Sequence, residues 1–551
     1  MRSLSCAAQA AVIFSVLIPQ GIRADAEARP NVVVFIVDDL GYGDLGCFGR
    51  QNISTPHIDE IAANGVKFTQ WISAAPICTP SRAAFQTGRL PMRFGMVANS
   101  LPFRVFPTTA STDGIPETEK TIGQALQMEG YRTIMSGKWH LGISSLTENY
   151  AFLPRKKGYD SWVGVPYTNM HKCKEIPQDG EGKYWCMLMH NETIVQQPLV
   201  EQNLTQALTS HAISQMELAV ETRTPFFMLY NFVHVHTPLF TSPLFKGKSR
   251  GGEFGDNVEE MDDAVGKVLK ALDRLAISES TLVVLTSDNG PYAEEGYDYA
   301  GRTGGLKGSK AQNWEGGIRM PAVARWPGVI PPGQVSDTLV NTMDLWPTIV
   351  GLAGGHVNET RLDGRDILEV LRDPARATSP HQYMFHYCGF NLAAVRQVLK
   401  ERVIKYHLLP SKWTNTKTDL CNECCPNSFF AKFGGTLCDC VKGKDLENRE
   451  HDPLVFDMTH DPTESVPLNA SNFPGGSQAF ETALQNMRDA VRKHMHEVGK
   501  VPHSRLKSMS PFNFPCCNGR ALLGASCECS FTSSLVPRTS LALRTFKESL
   551  Q

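Results

Sequence analysis

Four short runs of apolar residues restrict the fold of this chain more than any other feature of its sequence. The first run, Asn31–Val37, is rich in β-branched side chains and lacks polar alternation, which is typical of a strand buried on both faces of a sheet. Three more runs of this form lie at residues 131–135, 225–232 and 282–286. Helical patterns separate them, for example at residues 122–129 and 257–275. This alternation predicts an α/β fold.

Polar residues follow each of these four runs. They are Asp38 and Asp39, Lys138 and His140, His234 and His236, and Asp288 and Asn289. In open α/β sheets, ligands bind beyond the carboxyl ends of the strands. We therefore expect these side chains to converge on one site.

Cys78 is predicted to begin a helix, because Pro80 suits a first helical turn and Gly88 is placed to end the helix. A group at position 78 then lies against free backbone N–H donors and the positive end of the helix dipole, which together favour an anion. Arg82, one turn further on, adds a forked cation on the same face. A buried helix cysteine with no chemical role is the alternative interpretation.

The polar residues after the first and last runs are candidate metal ligands. The carboxylates of Asp38, Asp39 and Asp288 repel one another unless a cation neutralises them. Asn289 adds an amide oxygen, and an all-oxygen site suits calcium or magnesium rather than zinc. Helix capping is the alternative interpretation of the Asp38-Asp39 pair.

Several motifs resemble those of the type I sulfatases. C-T-P-S-R at residues 78–82, followed by T-G-R at 87–89, resembles the signature in which the cysteine is oxidised to formylglycine by the formylglycine-generating enzyme. D-D-L-G-Y-G-D at 38–44 and S-D-N-G-P at 287–291 resemble the two metal-binding segments. The cysteines near the C-terminus are similar to those of arylsulfatase A-like and sea-urchin-type arylsulfatases. The resemblance covers residues 30–501.

This resemblance implies an alkaline-phosphatase-like α/β fold, in which helices flank a large mixed sheet and a smaller C-terminal α+β domain carries a small antiparallel sheet and a helix. It also implies one divalent cation, usually calcium, with magnesium as the alternative. The implied ligands are Asp38, Asp39, Asp288, Asn289 and an oxygen of converted Cys78.

The implied catalytic residues are Cys78, Arg82, Lys138, His140, His236 and Lys310. In the G-K-W-H-L-G element at 137–142, Lys138 clamps the sulfate and formylglycine oxygens, and His140 assists in removing a hydroxyl proton. His236 and Lys310 match the sulfate-binding histidine and lysine, and His236 also helps to protonate the leaving oxygen. The hydroxyl of Thr168 contacts sulfate. His234 stays open as an alternative to His236.

The implied function is hydrolysis of sulfate monoesters. One hydroxyl of the formylglycine hydrate attacks sulfur, and the other allows the hemiacetal to collapse and release sulfate. Three alternatives remain: a phosphate or phosphonate ester hydrolase on the same scaffold, a matrix or binding role with unconverted Cys78, and a secreted module that only binds calcium. The physiological substrate and the oligomeric state stay open, a homo-oligomer included.

The chain of 551 residues is predicted to divide into four segments. These are a signal peptide at 1–26, the catalytic domain at 27–379, a cysteine-rich subdomain at 380–530 and a tail at 531–551. The signal predicts entry into the secretory pathway, ending in the lysosome or outside the cell. No later apolar run has spanning length, so no membrane span is expected. The net charge of −2 gives no support for nucleic-acid binding.

Fifteen cysteines and five glycosylation triplets agree with this route. We expect disulfides rather than zinc at the cysteine clusters 421–440 and 516–529, and expect Cys173 and Cys186 to close a loop. With Cys6 in the signal and Cys78 set aside, an odd number remains, so at least one is free or paired between chains. The predicted glycosylation sites are Asn52, Asn191, Asn203, Asn358 and Asn469.

Overall fold

The fold is known from a computed structural model. It describes residues 29–98, 104–107, 109–144, 150–168, 186–293, 300–412, 440, 446–510, 515–517 and 519–520. The predicted signal peptide and the tail lie outside these residues.

A large mixed sheet organises most of the described chain. Its eleven strands are β1 (Asn31–Val37), β2 (Val66–Ile72), β3 (Arg132–Gly137), β4 (Ser161–Gly164), β5 (Leu188–His190), β6 (Thr193–Gln196), β7 (Phe226–Asn231), β8 (Thr281–Ser287), β9 (Arg319–Arg325), β10 (Gln334–Ser336) and β11 (Val340–Asn341). The order across the sheet is β10-β2-β9-β8-β1-β7-β3-β4-β5-β6, and β11 pairs with β2. The central strands β8, β1, β7 and β3 are parallel, and β9 is antiparallel to β8. The sheet is therefore mixed, as predicted.

Helices cover both faces of this sheet. They are α1 (Pro56–Ala63), α2 (Cys78–Thr87), α3 (Ile122–Met128), α4 (Leu204–Glu221), α5 (Gly252–Arg274), α6 (Glu315–Ile318), α7 (Leu345–Leu352) and α8 (Leu368–Arg372). Alternate residues of β1 enter two separate cores: Val32 and Val34 pack on the side of α2, α3 and α7, whereas Val33 and Phe35 pack on the side of α1, α4 and α5. The unbroken apolar run thus reflects burial on both faces, as predicted.

The predicted strands of this sheet are confirmed to within two residues at each end. The helix predicted at 257–275 begins earlier, at Gly252. Its first turn contains Gly252 and Gly255, and glycine is a weak helix former, which hid this turn from the pattern.

The C-terminal part of the described chain forms a four-stranded antiparallel sheet. Its strands are β12 (Tyr383–Cys388), β13 (Asn391–Leu399), β14 (Arg402–His407) and β15 (Leu454–Asp457), and the two-stranded pair β16 (Pro515–Cys516) and β17 (Gly519–Arg520) follows. Helix α9 (Gly476–Val498) packs Leu484 and Met487 against Val395 and Ile404 of the sheet. The sheet and helix expected for a small α+β domain are present, and we retain the boundary near residue 380 as a proposal.

Disulfides are present in the described chain. Cys388 of β12 is bonded to Cys440, with 5.7 Å between their Cα atoms. Cys186, Cys516 and Cys517 are also disulfide-bonded. For these cysteines the disulfide interpretation is confirmed, although the sequence had not suggested Cys388 as a partner. Among the described cysteines, Cys47 and Cys78 are free. Cys173 and the other members of the 421–440 cluster lie outside the described residues.

The last described segments return to the large sheet. The backbone of Arg505 bonds to Gly95, its guanidinium donates to Asp113, and Met509 bridges to Ser111. In the part of the chain that the structure describes, no helix has the length and apolar character needed to cross a membrane.

Candidate active site

Helix α2 holds Cys78 at the carboxyl edge of the large sheet. Cys78 is its first residue, and the helix ends at Gly88, whose φ of 66° suits glycine. Pro80 stands in the first turn, where its missing N–H costs no helical bond. The Cys78 Sγ lies 3.5 Å from Asp38 Oδ1 and 3.9 Å from Asp39 Oδ1. The predicted helix is confirmed, and it brings the cysteine to the strand-end acids.

Strand pairing brings the two acidic segments together. Strands β1 and β8 are parallel neighbours with Val37 opposite Ser287, so the residues that follow them emerge side by side. The Asp39 amide donates to Asp288 Oδ1 at 3.2 Å. Ligand atoms of Asp38, Asp39, Cys78 and Asp288 all lie within 4.8 Å of one another, and all four residues are buried.

Three buried cations surround this cluster. The Lys138 ammonium lies 2.5 Å from Asp38 Oδ2, and the Lys310 ammonium lies 2.7 Å from Asp39 Oδ2. Arg82 bridges Asp38 at 3.3 Å and Asp288 at 2.8 Å. Although burial alone would raise the pKa of Asp38, Lys138 and Arg82 hold that pKa well below its ordinary value. The formal charges of three cations and three carboxylates therefore cancel, although burial, together with repulsion from Asp38 and Asp39, still raises the pKa of Asp288 to about 7.

The donor set nevertheless fits a hard divalent cation. Asn289 donates from Nδ2 to Asp39 Oδ1 at 2.6 Å. Its Oδ1 is buried without a hydrogen-bond partner in the described chain. An amide oxygen of this kind, beside three carboxylates, matches the all-oxygen ligation of calcium or magnesium. The residues that could hold the ion are Asp38, Asp39, Asp288 and Asn289.

The end of β3 places Lys138 and His140. Gly137 has a φ of 105°, and a Cβ at this position would lie 1.7 Å from the Asn231 carbonyl oxygen. Only glycine allows this approach, through which the Lys138 amide donates to Asn231 and the Asn231 side chain donates back to the Lys138 carbonyl. The Lys138 side chain is thus fixed at both ends, by its backbone and by Asp38.

His140 is fixed in one tautomer. Its Nε2 lies 3.1 Å from the Phe106 carbonyl oxygen, and a carbonyl can only accept, so Nε2 carries the proton. Nδ1 is left as an acceptor, and it has no hydrogen-bond partner in the described chain. Burial, together with the Lys138 charge, lowers the pKa of His140 well below its ordinary value. The ring is therefore a neutral base.

The segment after β7 separates its two histidines. His236 Nε2 lies 3.7 Å from Asp39 Oδ2, whereas His234 Nε2 lies 3.9 Å from Glu260 Oε2. Burial and the Lys310 charge lower the pKa of His236 to about 4. Of the two side chains, that of His236 reaches the acid cluster, whereas His234 contacts Asp38 only through its backbone carbonyl, at 2.9 Å.

The matches to known proteins agree with this geometry. Residues 30–355 match the sulfatase family model, and residues 379–529 match the model for the C-terminal region of aryl-sulfatase. The chain belongs to the sulfatase family. Human steryl-sulfatase is 36% identical over 92% of this chain and 95% of its own length. Human arylsulfatase A is 35% identical over 92% of this chain and 96% of its own length. The solved PsFucS1 sulfatase from Pseudoalteromonas sp. is 25% identical, with a TM-score of 0.70 over 88% of this chain and 92% of its own.

This sulfatase is a sulfuric ester hydrolase, as the resemblance implied. Its similarity to arylsulfatase A and to steryl-sulfatase is nearly equal, so similarity alone does not assign it to either group.

Two further residues bear on the site. Thr168, a predicted sulfate contact, follows β4 and is half-buried. Its neighbour Tyr167 packs edge-on against the His140 ring, with 4.8 Å between centroids, which brings this segment beside the site. The sulfate contact itself stays a prediction.

Sequence reasoning missed Tyr292 in this sulfatase. Its ring stacks on His236 with 5.7 Å between centroids, and the Lys310 ammonium lies 4.6 Å from the ring centroid. An aromatic residue two positions after a strand-end loop gives no local signal of such contacts. Tyr292 therefore became visible as part of the site only in the folded chain.

Proposed function

We propose that this chain hydrolyses sulfate monoesters and that the residue at position 78 acts as formylglycine. The observation that carries the proposal is the position of Cys78: first residue of α2, buried, and within 4 Å of two of the four candidate metal ligands. The C-T-P-S-R motif adds the chemical identity of the modified residue.

Two groups absent from the described chain complete the chemistry. A hydrated formylglycine would supply one hydroxyl as the nucleophile and a second for the release of sulfate, and a divalent cation, which we propose is Ca²⁺, would supply positive charge. Asp38, Asp39, Asp288 and Asn289 would hold the cation.

The fixed cations of the chain bind and orient the sulfate group. Lys138, Arg82 and Lys310 together balance three carboxylates, so a divalent ion would leave the site with a net positive charge for an anionic ester. Because these ammonium and guanidinium groups are buried and held by ion pairs, they need no reorganisation as charge develops on the sulfate oxygens. We assign sulfate binding to Lys138, Lys310, His236 and Thr168.

The two histidines divide the proton transfers. His140 presents an unprotonated Nδ1 and is assigned as the base that takes a hydroxyl proton at position 78. His236 is assigned to the leaving oxygen. Its low pKa makes the ring neutral at rest, but a bound sulfate ester places negative charge beside it, which raises that pKa and favours the proton-donating form.

Maturation and location follow from the same chemistry. The formylglycine-generating enzyme is the proposed partner during synthesis, in the secretory pathway. Disulfides at Cys186, Cys388, Cys440, Cys516 and Cys517 support an oxidising compartment. The lysosome and the extracellular space are the two proposed destinations.

The test uses the full chain expressed through a eukaryotic secretory host. Sulfate and phosphate esters of the same nitrophenol are compared as substrates for the wild type, Cys78→Ala and Cys47→Ser. Cys47 is the matched control, since it is the other free cysteine among the described residues and lies outside the acid cluster. We expect sulfate turnover that Cys78→Ala abolishes and Cys47→Ser retains. Preference for the phosphate ester would instead support the phosphoesterase, and full activity of Cys78→Ala would refute the proposed nucleophile.

A further inference from the structure

A second cluster of buried charges lies outside the acid cluster, between the large sheet and the small sheet. Its members have side chains that are 0% exposed, and they are Glu315, Arg396, Lys405, His407 and Glu464. Glu315 begins α6, beside the large sheet, whereas the other four belong to the small sheet or to the loop after it. Burying five ionisable groups costs free energy unless they pair closely, so their arrangement needs a physical reason.

Lys405 is the centre of this cluster. Its ammonium donates to Glu315 Oε1 at 2.7 Å, to Glu464 Oε1 at 2.9 Å and to the Asn313 carbonyl oxygen at 2.8 Å. All three donor positions of an ammonium are thereby used. The Glu464 Oε2 accepts from the Glu315 amide at 2.9 Å. Lys405 and Glu464 thus hold two main-chain groups of residues 313–315 as well as a side chain.

These main-chain groups lie immediately after Lys310. Asn313 and Glu315 follow it by three and five residues, and a turn encloses Lys310, because the Gln312 amide donates to the Ser309 carbonyl oxygen at 3.1 Å. The Lys310 amide also bonds to the Pro291 carbonyl at 3.0 Å. A compact segment of this kind transmits the position of its anchored end to its other end.

We propose that Lys405 is a positioning residue for Lys310, acting from the small sheet through Asn313 and Glu315. The proposal rests on the proposed function, in which Lys310 binds sulfate. Lys405 touches neither the acid cluster nor the Lys310 side chain in the described chain. It fixes the backbone from which Lys310 reaches Asp39.

Charge balance explains why a lysine is needed at position 405. Glu315 and Glu464 carry two negative charges, and Lys405 contacts both, whereas Arg396, at 2.5 Å, and Arg319, at 3.5 Å, pair only with Glu315 of these two acids. Removing the Lys405 ammonium breaks its contacts with Asn313, Glu315 and Glu464 at once and leaves Glu464 with the His407 ring, 2.6 Å away, as its remaining side-chain partner in the cluster. We expect the 313–315 segment to shift as Glu464 moves to regain a partner.

The experiment measures inhibition by inorganic sulfate and turnover of nitrophenyl sulfate in Lys405→Met, Lys310→Met and the double variant. Misplacing Lys310 by about 1 Å should weaken sulfate inhibition and lower kcat/KM roughly 10- to 100-fold. If Lys405 acts through Lys310, the double variant should be no worse than Lys310→Met alone. Glu464→Gln keeps the shape of the side chain but removes its charge. If Lys405→Met does not fold, Glu464→Gln replaces it in the same comparison of single and double variants.

Arg402→Met is the matched control, because Arg402 lies on the same strand, β14, and pairs with Asp457 away from residues 310–315. It should lower thermal stability without changing sulfate inhibition. Effects of Lys405→Met that add fully to those of Lys310→Met, or a loss of stability with unchanged sulfate inhibition, would overturn the positioning role. If the wild type itself neither turns over the ester nor is inhibited by sulfate, the proposed function fails and this inference falls with it.

Discussion

The Lys310 ammonium pairs with Asp39 at 2.7 Å, although 271 residues separate them in the sequence. This ion pair joins the loop before α6 to the end of β1. Together with the Lys138–Asp38 pair and the bridging Arg82, it gives each of the three carboxylates a cationic partner. We propose that a bound divalent ion adds the net positive charge that attracts an anionic substrate.

Removing divalent cations should inactivate the protein and lower its Tm. Calcium that binds only the folded state, at about 100 times its Kd, would stabilise it by about 2.7 kcal/mol. Asn289→Ala removes an amide oxygen that is unpaired in the described chain and should abolish the calcium-dependent rise in Tm, which calorimetry with and without chelator measures. Asn486→Ala, on the exposed face of α9, should keep that rise. A Tm that does not change with calcium in the wild type, Asn289→Ala or Asn486→Ala would refute the metal site.

His236 and His234 should respond differently to the same substitution. His236→Gln removes the ring beside Asp39 and should lower kcat by about 10²-fold or more, as loss of a proton donor does. His234→Gln disturbs the contact with Glu260 and should mainly reduce the Tm. Steady-state kinetics on nitrophenyl sulfate and thermal unfolding separate the two outcomes. A larger loss of kcat in His234→Gln would reverse the assignment.

Gly137→Ala should prevent correct folding of the Lys138 segment. The added Cβ would lie 1.7 Å from the Asn231 carbonyl oxygen, so the backbone has to shift. We expect the free energy of unfolding to fall by about 4 kcal/mol or more. Gly130→Ala is the control: its φ of 75° is also positive, but no atom lies within 4 Å of the added Cβ. It should cost only about 1–2 kcal/mol. Chemical unfolding of both variants measures the difference, and equal losses would show that the close approach does not matter.

Stability should fall in acid, in part through His494. The ring stacks on Phe385 and its Nε2 forms a hydrogen bond of 2.9 Å with the Tyr387 hydroxyl, and burial lowers the pKa of His494 from 6.5 to about 4. The folded state then binds fewer protons than the unfolded state between these values. The stability that the neutral ring contributes is complete above pH 6.5 and decreases as the pH falls. At pH 4 the free energy of unfolding has dropped by about 3 kcal/mol through this group.

His494→Gln keeps a side chain that can form a hydrogen bond with Tyr387, but the glutamine amide does not titrate. Unfolding of the variant and the wild type at pH 7.5 and pH 4.5 gives the measurement. The gap between the two pH values should be smaller in the variant. An equal difference in unfolding free energy between the two pH values would mean that the folded state does not lower the pKa of His494.

The sequence predicted the strands and much of the convergence because both depend on local patterns. An unbroken apolar run followed by Asp38 and Asp39 predicts a buried strand with two acids at its carboxyl end. Since parallel strands of one sheet end at the same edge, it also predicts that these acids meet the residues that follow the other strands. The helix at Cys78 was likewise readable from Pro80 and Gly88. The catalytic roles came from resemblance rather than from spacing.

What could not be predicted are contacts between distant segments that leave no local pattern. The Lys405–Glu464 pair spans 59 residues, and a lysine within a strand is usually solvent-exposed. The Cys388–Cys440 bond spans 52 residues, and cysteine spacing does not give connectivity. The cations that pair with Asp38, Asp39 and Asp288 come from three other parts of the chain, and the pattern of the acids alone gives no sign of them.

The most direct test of the account is a mass spectrum of the peptide that contains residue 78. The full chain is made in a eukaryotic secretory host, with a sulfatase whose cysteine that host is shown to convert made alongside as a control for the modification system. The account predicts an aldehyde at position 78 in place of the thiol, in protein that turns over a sulfate ester. An intact Cys78 thiol in folded, active protein, from a host that converts the control, would contradict it.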